Sequence, residues 1–241
     1  MTTKVVLYES IPEGMRVIEA FPSNGFVSTI AAQRIIDGLD MKVVGHIESD
    51  KIQGIVVIHN SVPLKPIRVY AKDDLCVIYS EVMIPLEYVN EFSKALIDWF
   101  NRLKPKEVFV LAGISGAEVS GEHEILGIAI TDEMSKRLKK ANVNIIENGM
   151  VTGISAELLM HCSGEGIPCV SLVTETHFVP DPMAAASMIK ILNSLLSVKV
   201  TTDELVAVGK EIESQVKDIS EQIKRGKEKY KQMECLTPMY G

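Results

Sequence analysis

The sequence predicts an α/β fold, a mostly parallel sheet with helices on both faces, followed by a long C-terminal helix. Three observations predict it. Continuous apolar runs such as Val108-Phe109-Val110-Leu111-Ala112 read as strands buried on both faces, the kind that parallel sheets use. These runs alternate with segments whose apolar residues recur every three or four positions, the spacing of helices. Beyond Thr202 the pattern becomes one narrow apolar stripe on an otherwise charged segment.

Taken in order, 5–8 and 17–20 are expected strands, and Pro22-Ser23-Asn24-Gly25 is a turn. A helix follows over 26–39, with Ile30, Ile35, Ile36 and Leu39 on its apolar side and Gly38 near its end. Strands are expected at 43–47, 55–59, 67–70 and 75–79, with a loop at Pro63 and Pro66. Residues 88–103 carry Phe92, Leu96, Trp99, Phe100 and Leu103 at helical spacing, and Pro105 marks the end. The strand at 108–112 runs into the loop Gly113-Ile114-Ser115-Gly116, and 127–130 is a further strand. Thr131 caps a short helix over 132–140. A loop at 147–153 precedes a helix over 154–162 that Ser163-Gly164 closes. The strand at 168–174 ends in Glu175-Thr176-His177, and Asp181 caps a helix over 182–196.

The last segment reads as one helix over 203–233. Its stripe is Leu205, Val208, Ile212, Val216, Ile219 and Ile223, followed by Tyr230 and Met233. About 30 residues make a helix of ~45 Å. Such a stripe packs on the domain or against a second subunit. Thr237-Pro238 then stops the helix. The expected organisation is an α/β domain at 1–200, an amphipathic helix at 201–236 and an extended tail at 237–241.

Composition narrows the function. The chain has 241 residues and a formal charge of −7, without a basic patch, so nucleic acid is not an expected partner. No apolar run approaches the ~18 residues of a membrane span, and the N-terminus is not expected to be a signal peptide. Cys76, Cys162, Cys169 and Cys235 lack CxxC spacing and read as reduced thiols, mostly in the core, of a cytoplasmic protein.

Four constellations could carry chemistry. The 22–26 turn could hold an anion at a helix start, but neither Gly-Lys-Ser/Thr nor G-x-G-x-x-G accompanies it, and a tight turn is the favoured reading. Gly113-Ile114-Ser115-Gly116-Ala117 and Gly153-Ile154-Ser155-Ala156-Glu157 both fall one glycine short of a nucleophile elbow. Glu175 and His177 could do acid–base work at a strand's carboxyl end. The competing reading has them bonding loop backbone while Asp181 caps the next helix. His161, Cys162, Cys169 and His177 match no common zinc spacing, so no metal and no cofactor is expected.

The stretch 148–192, from Asn148-Gly149-Met150 through Glu175-Thr176-His177 to Asp181-Pro182-Met183-Ala184-Ala185, resembles the proteasome assembly chaperone 2 family. The turn at 22–25 and the 113–116 segment agree with it in outline. That resemblance implies a nucleoside-phosphorylase-like fold used for binding rather than catalysis, and the 20S proteasome α-ring as partner. The chain also ends in Met239-Tyr240-Gly241, which resembles the hydrophobic-Tyr-X tail that docks between 20S α-subunits. Such a tail offers an apolar anchor, an aromatic ring and a terminal carboxylate. The leading expectation is a homo-oligomeric chaperone or activator-like factor using Met239, Tyr240 and Gly241 for partner binding. The alternatives are a small-molecule hydrolase or phosphorylase built on Glu175 and His177, or an oligomeric scaffold with covered tails and a different protein partner.

Overall fold

The computed structural model describes residues 3–52, 54–116 and 123–212. Eleven strands and five complete helices lie within them. The strands are β1 (Lys4–Leu7), β2 (Arg16–Ala20), β3 (Lys42–Glu48), β4 (Val57–His59), β5 (Val62–Leu64), β6 (Ile67–Lys72), β7 (Leu75–Ser80), β8 (Glu107–Ser115), β9 (Ile125–Ala129), β10 (Asn144–Ile145) and β11 (Cys169–Thr176). The helices are α1 (Val27–Gly38), α2 (Val89–Leu103), α3 (Asp132–Lys140), α4 (Gly153–Glu165) and α5 (Pro182–Leu196). Residues 203–212 are also helical.

Nine strands form one sheet in the order β1-β3-β6-β7-β2-β8-β11-β9-β10. Its centre, β7-β2-β8-β11, is parallel throughout. The flanks are largely antiparallel, through β1-β3, β3-β6, β6-β7 and β11-β9. The sheet is therefore mixed, a correction to the mostly parallel expectation. The cause on one side is local. Only Asp73-Asp74 separates β6 from β7, and Asp73 adopts φ 51°, so the chain folds straight back as a hairpin.

Helices cover both faces, as expected. Successive strand residues alternate between two cores. Ile18, Val77, Phe109, Leu111, Val170 and Leu172 face α1, α3 and α5. Val17, Cys76, Ile78, Val108, Val110 and Cys169 face α2 and α4. The α2 positions Phe92, Leu96, Trp99, Phe100 and Leu103 are all buried, which the helical spacing anticipated. Thr131 Oγ1 accepts the Met134 N–H, and Asp181 Oδ1 accepts the Ala184 N–H at 3.0 Å, so both expected caps form.

Several boundaries differ. The helix expected to close at Ser163-Gly164 continues to Glu165, because the left-handed residue that ends it is Gly166, with φ 68°. The segment around Pro63 forms β5 and pairs with β4 instead of remaining a loop. The two-residue β10 was missed.

Of the segment expected as a C-terminal helix, residues 203–212 are described, and they are helical. Leu205 packs against the core beneath α1 and α5. Gly209 is buried against Met183, where an added Cβ would lie 2.4 Å from Met183 Cγ. Val208 is half exposed and Ile212 partly buried. Val216, Ile219, Ile223 and the tail Met239-Tyr240-Gly241 lie outside the described residues.

Candidate functional site

The carboxyl ends of β2, β8 and β11 lie side by side, and ligands of open α/β sheets bind at this edge. Three connections meet there: residues 21–26 after β2, the end of β8, and residues 177–181 after β11.

The first connection is tightly built. Gly25 and Phe26 both adopt left-handed φ, 65° and 53°. Glycine is needed at 25 because an added Cβ would lie 2.9 Å from Thr176 Cβ. Phe26 has no such excuse: it is bulky, strained and 43% exposed, a combination more common at functional surfaces than in plain turns. Ser23 Oγ accepts the Gly113 N–H at 2.9 Å, and Asn24 Nδ2 donates to Ser115 Oγ at 3.2 Å. These contacts replace the neighbour that β8 loses where β2 stops.

The segment 113–116 is not a nucleophile elbow. Gly113, Ile114 and Ser115 remain in β8, opposite Thr174, Glu175 and Thr176. Gly113 is small because the Asn24 carbonyl presses on it: a Cβ there would sit 2.2 Å from that oxygen. Ser115 bonds Asn24 rather than a histidine.

Glu175, His177 and Asp181 come together with a residue the sequence reading missed, His123. Its Nδ1 donates to the Glu175 carbonyl at 3.0 Å, and its ring stacks on His177 with centroids 5.4 Å apart. Its Nε2 lies 3.4 Å from Asp181 Oδ1, an ion pair when both ring nitrogens are protonated. Asp181 Oδ2 accepts the His177 backbone N–H at 3.1 Å. His177 Nε2 is buried without a hydrogen-bond partner. Glu175 contributes its backbone carbonyl to this cluster, while its side chain is exposed. The arrangement braces a loop through His123 and Asp181; Asp181 caps α5 as expected, whereas Glu175 and His177 take part through their main chains and not through side-chain bonds to loop backbone. No spacing rule pointed to His123.

Beside this brace lies a cavity of about 520 Å³, on the α2/α4 side of the edge. Its floor includes Ala112, Ile128, Ser171 and Val173, and its walls come from residues 21–26, 83–89 and 150–155. No charged side chain lines it, and neither Glu175 nor His177 reaches it. Ser171 Oγ, on the floor, is buried and has no partner. The rim is apolar and open to solvent: Met83 is 71% exposed, Leu86 80%, Met150 90% and Val179 74%. Such a cavity accepts uncharged, apolar groups and offers one hydroxyl at its base. It offers no cation to a phosphate.

Among the described residues, no group of three or more His, Cys, Asp or Glu is placed to hold a metal. Cys162 and Cys169 are buried. The Cys169 thiol is pushed well above its ordinary range, first by its hydrogen bond with Cys162 and then by burial. Among the same residues, no helix is long and apolar enough to cross a membrane.

The sequence and the fold place the chain in a known family. Residues 17–220 match the PAC2 family model, and the chain belongs to the PAC2 family. An uncharacterized protein of Methanocaldococcus jannaschii is 31% identical over 207 residues, 86% of this chain and 85% of that one. The crystal structure of Pyrococcus furiosus PbaA, an archaeal homolog of proteasome-assembly chaperone, superposes with a TM-score of 0.82 at 29% identity, covering 99% of this chain and 100% of that one. P. furiosus PbaB, an archaeal proteasome activator, superposes with a TM-score of 0.80, covering 91% and 99%. At 22% identity, PbaB bears on the fold alone.

Proposed function

We propose that this chain is a cytoplasmic, homo-oligomeric proteasome assembly chaperone or activator-like factor, and that Met239-Tyr240-Gly241 docks between α-subunits of the 20S ring. The observation that carries the reading is the likeness to PbaA along essentially the whole chain, within a shared family. The terminal tripeptide supplies a chemical handle of the right kind: an apolar side chain, a tyrosine and a carboxylate. Several such tails on one oligomer bind a ring of repeated pockets multivalently, so each one can be weak. The helix that begins at residue 203 is the proposed lever, with Val208, Ile212, Val216, Ile219 and Ile223 available to contact a neighbouring subunit.

The site chemistry supports binding over turnover. A phosphorylase acting at this edge stabilises phosphate with cations, and the cavity has no charged side chain in its lining. Glu175 and His177 serve a loop brace outside it.

The test is a native mass determination of the protein mixed with purified 20S α-rings. Binding is expected for the wild type and lost on deleting 239–241 or on appending a C-terminal tag. Binding that survives both changes defeats the tail reading. Absence of binding by the wild type, with its tail shown to be accessible, defeats the proteasome reading.

A further inference from the structure

We propose that the carboxyl-edge cavity binds a small, singly charged carboxylic acid with an apolar body. The start of α4 holds the carboxylate at the mouth, and Ser171 meets an uncharged oxygen at the buried end. This site stands apart from the proteasome reading and needs no part of the terminal tripeptide.

Two independent observations carry it. The first is an open helix start. The leading N–H groups of a helix have no partner within it, and together they act as about half a positive charge. In α3 and α5, Thr131 and Asp181 each accept one of these groups. In α4, which runs for 13 residues, Thr152 stands at the cap position and makes no such bond. Nor does an acidic residue lie in its first turn. Thr152, Gly153, Ile154 and Ser155 all line the cavity. The space beside this turn is open: an added Cβ at Gly153 would meet nothing within 4 Å. Free amides facing open space are what a carboxylate seeks at a helix start.

The second is the floor. Ser171 lies on β11 at 0% exposure, and its Oγ has no hydrogen-bond partner. A buried hydroxyl without a partner is unfavourable, and alanine would occupy the same place without that cost. Ser171 and Val173, two residues further along the strand, both line the cavity. An oxygen on a bound molecule supplies the missing partner, since a serine hydroxyl both donates and accepts.

The rest of the lining sets the class of ligand. Ala112, Ile128, Ile146, Val151 and Val173 offer apolar contact, and about 520 Å³ lies within the range of small-ligand sites, roughly 300–1,000 Å³. No acidic side chain is present to pair an amine, and no cation to pair a doubly charged phosphate. A single negative charge matches the half charge of one helix start. That charge belongs at the mouth, because Thr152 is exposed there and water still reaches it. The apolar body then points inward, towards Ser171.

Isothermal titration of the full-length protein tests the proposal. The probes are hexanoate, octanoate and decanoate, their terminally hydroxylated forms, octanamide and octyl phosphate, at pH 8. At least one of the acids is expected to bind saturably, once per protomer, with Kd on the order of 0.1 mM. Octanamide and octyl phosphate should each bind about tenfold more weakly than octanoate. The Thr152→Asp variant places a preferred capping residue on the free amides, so it folds at least as well as wild type in urea. It should bind octanoate about tenfold more weakly and leave octanamide unchanged. The Ser171→Ala variant loses no hydrogen bond within the protein. It should bind the best hydroxylated acid about tenfold more weakly than its plain counterpart, whereas wild type holds the two alike. Absence of saturable binding by every acid overturns the proposal. So does equal affinity for octanoate and octanamide, or an unchanged octanoate affinity in Thr152→Asp. N-acetyl dileucine, which carries a peptide carboxyl terminus, is the remaining arm. If it binds tenfold tighter than every acid, the cavity reads protein termini and the small-acid assignment fails. Binding to α-rings is measured separately, and its absence leaves this site untouched.

Discussion

Glu19 sits in the middle of the sheet, fully buried between β7 and β8, and it is the sharpest test of the core. One carboxyl oxygen accepts the Phe21 N–H at 2.9 Å, while Oε2 has no partner. Burial pushes its pKa up from 4.5 to about 8, opposed only by that backbone hydrogen bond. In the unfolded chain the carboxyl ionises near 4.5, while in the folded protein it holds its proton to about 8. The folded state therefore binds more protons than the unfolded state across this window, and stability falls as pH rises through it. The full gap corresponds to roughly 5 kcal/mol, at ~1.4 kcal/mol per pH unit. The penalty is absent below about pH 4.5 and levels off above about pH 8. The Glu19→Gln substitution keeps an oxygen for the Phe21 N–H and cannot ionise. Urea unfolding, read through buried Trp99, should show the variant gaining at least ~2 kcal/mol on wild type between about pH 5 and pH 8. Protomer concentration is held fixed throughout, because oligomerisation adds to apparent stability. Groups common to both proteins cancel in the difference. The neighbouring Cys169 thiol, raised further by Cys162, stays protonated over the range. A difference that is flat with pH refutes the reasoning, because it means that water or a counter-charge reaches Glu19 in the folded state.

Three further outcomes follow from the packing. Gly113→Ala drives a methyl group into the Asn24 carbonyl, 2.2 Å away, and should cost about 2–3 kcal/mol in urea unfolding, as overpacking does; a loss below ~0.5 kcal/mol would mean that the 21–26 segment gives way freely. Glu81→Ala removes the carboxylate that meets the buried Arg68 guanidinium at 2.6 Å, and should cost about 3–5 kcal/mol, measured in the same way. Asp181→Ala removes both the α5 cap and the acceptor for the His177 N–H, a loss of about 1–2 kcal/mol. If that cluster is a brace and not a catalytic set, the variant leaves α-ring binding unchanged, as a native mass determination would show.

The sequence made legible what depends on local chemistry. Helices α2 and α5 announced themselves through apolar spacing, and Thr131 and Asp181 through cap chemistry, because each signal acts within a few residues. The antiparallel flanks were less legible. Asp73-Asp74 is a weaker hairpin signal than Asn-Gly, and nothing local tells a buried strand which way its neighbour runs. His123 escaped notice because its partners, Glu175 and Asp181, are 52 and 58 positions away and arrive only through the sheet. Gly113 was noticed for a misleading reason: its place after an apolar strand resembled a nucleophile turn, whereas the Asn24 carbonyl is what demands a glycine there.

The cavity was invisible in the sequence for a related reason. Its lining comes from short stretches scattered between residues 21 and 179, none of which is unusual alone. What distinguishes it is a composition that emerges only on assembly: a largely apolar lining with a few uncharged polar groups, an unpartnered hydroxyl at Ser171 and no charge. At this edge, α/β enzymes that handle phosphorylated substrates present backbone nests or cations. Here the Asp181 carboxylate takes the α5 N-terminal amide of Ala184, whereas the N-terminus of α4, which lines the cavity at residues 152–155, has no side-chain cap and no cationic side chain beside it. An edge with the geometry of a ligand crevice and the surface chemistry of a protein interface is suited to gripping apolar groups. That composition locates the choice between binding and turnover in the lining of one cavity.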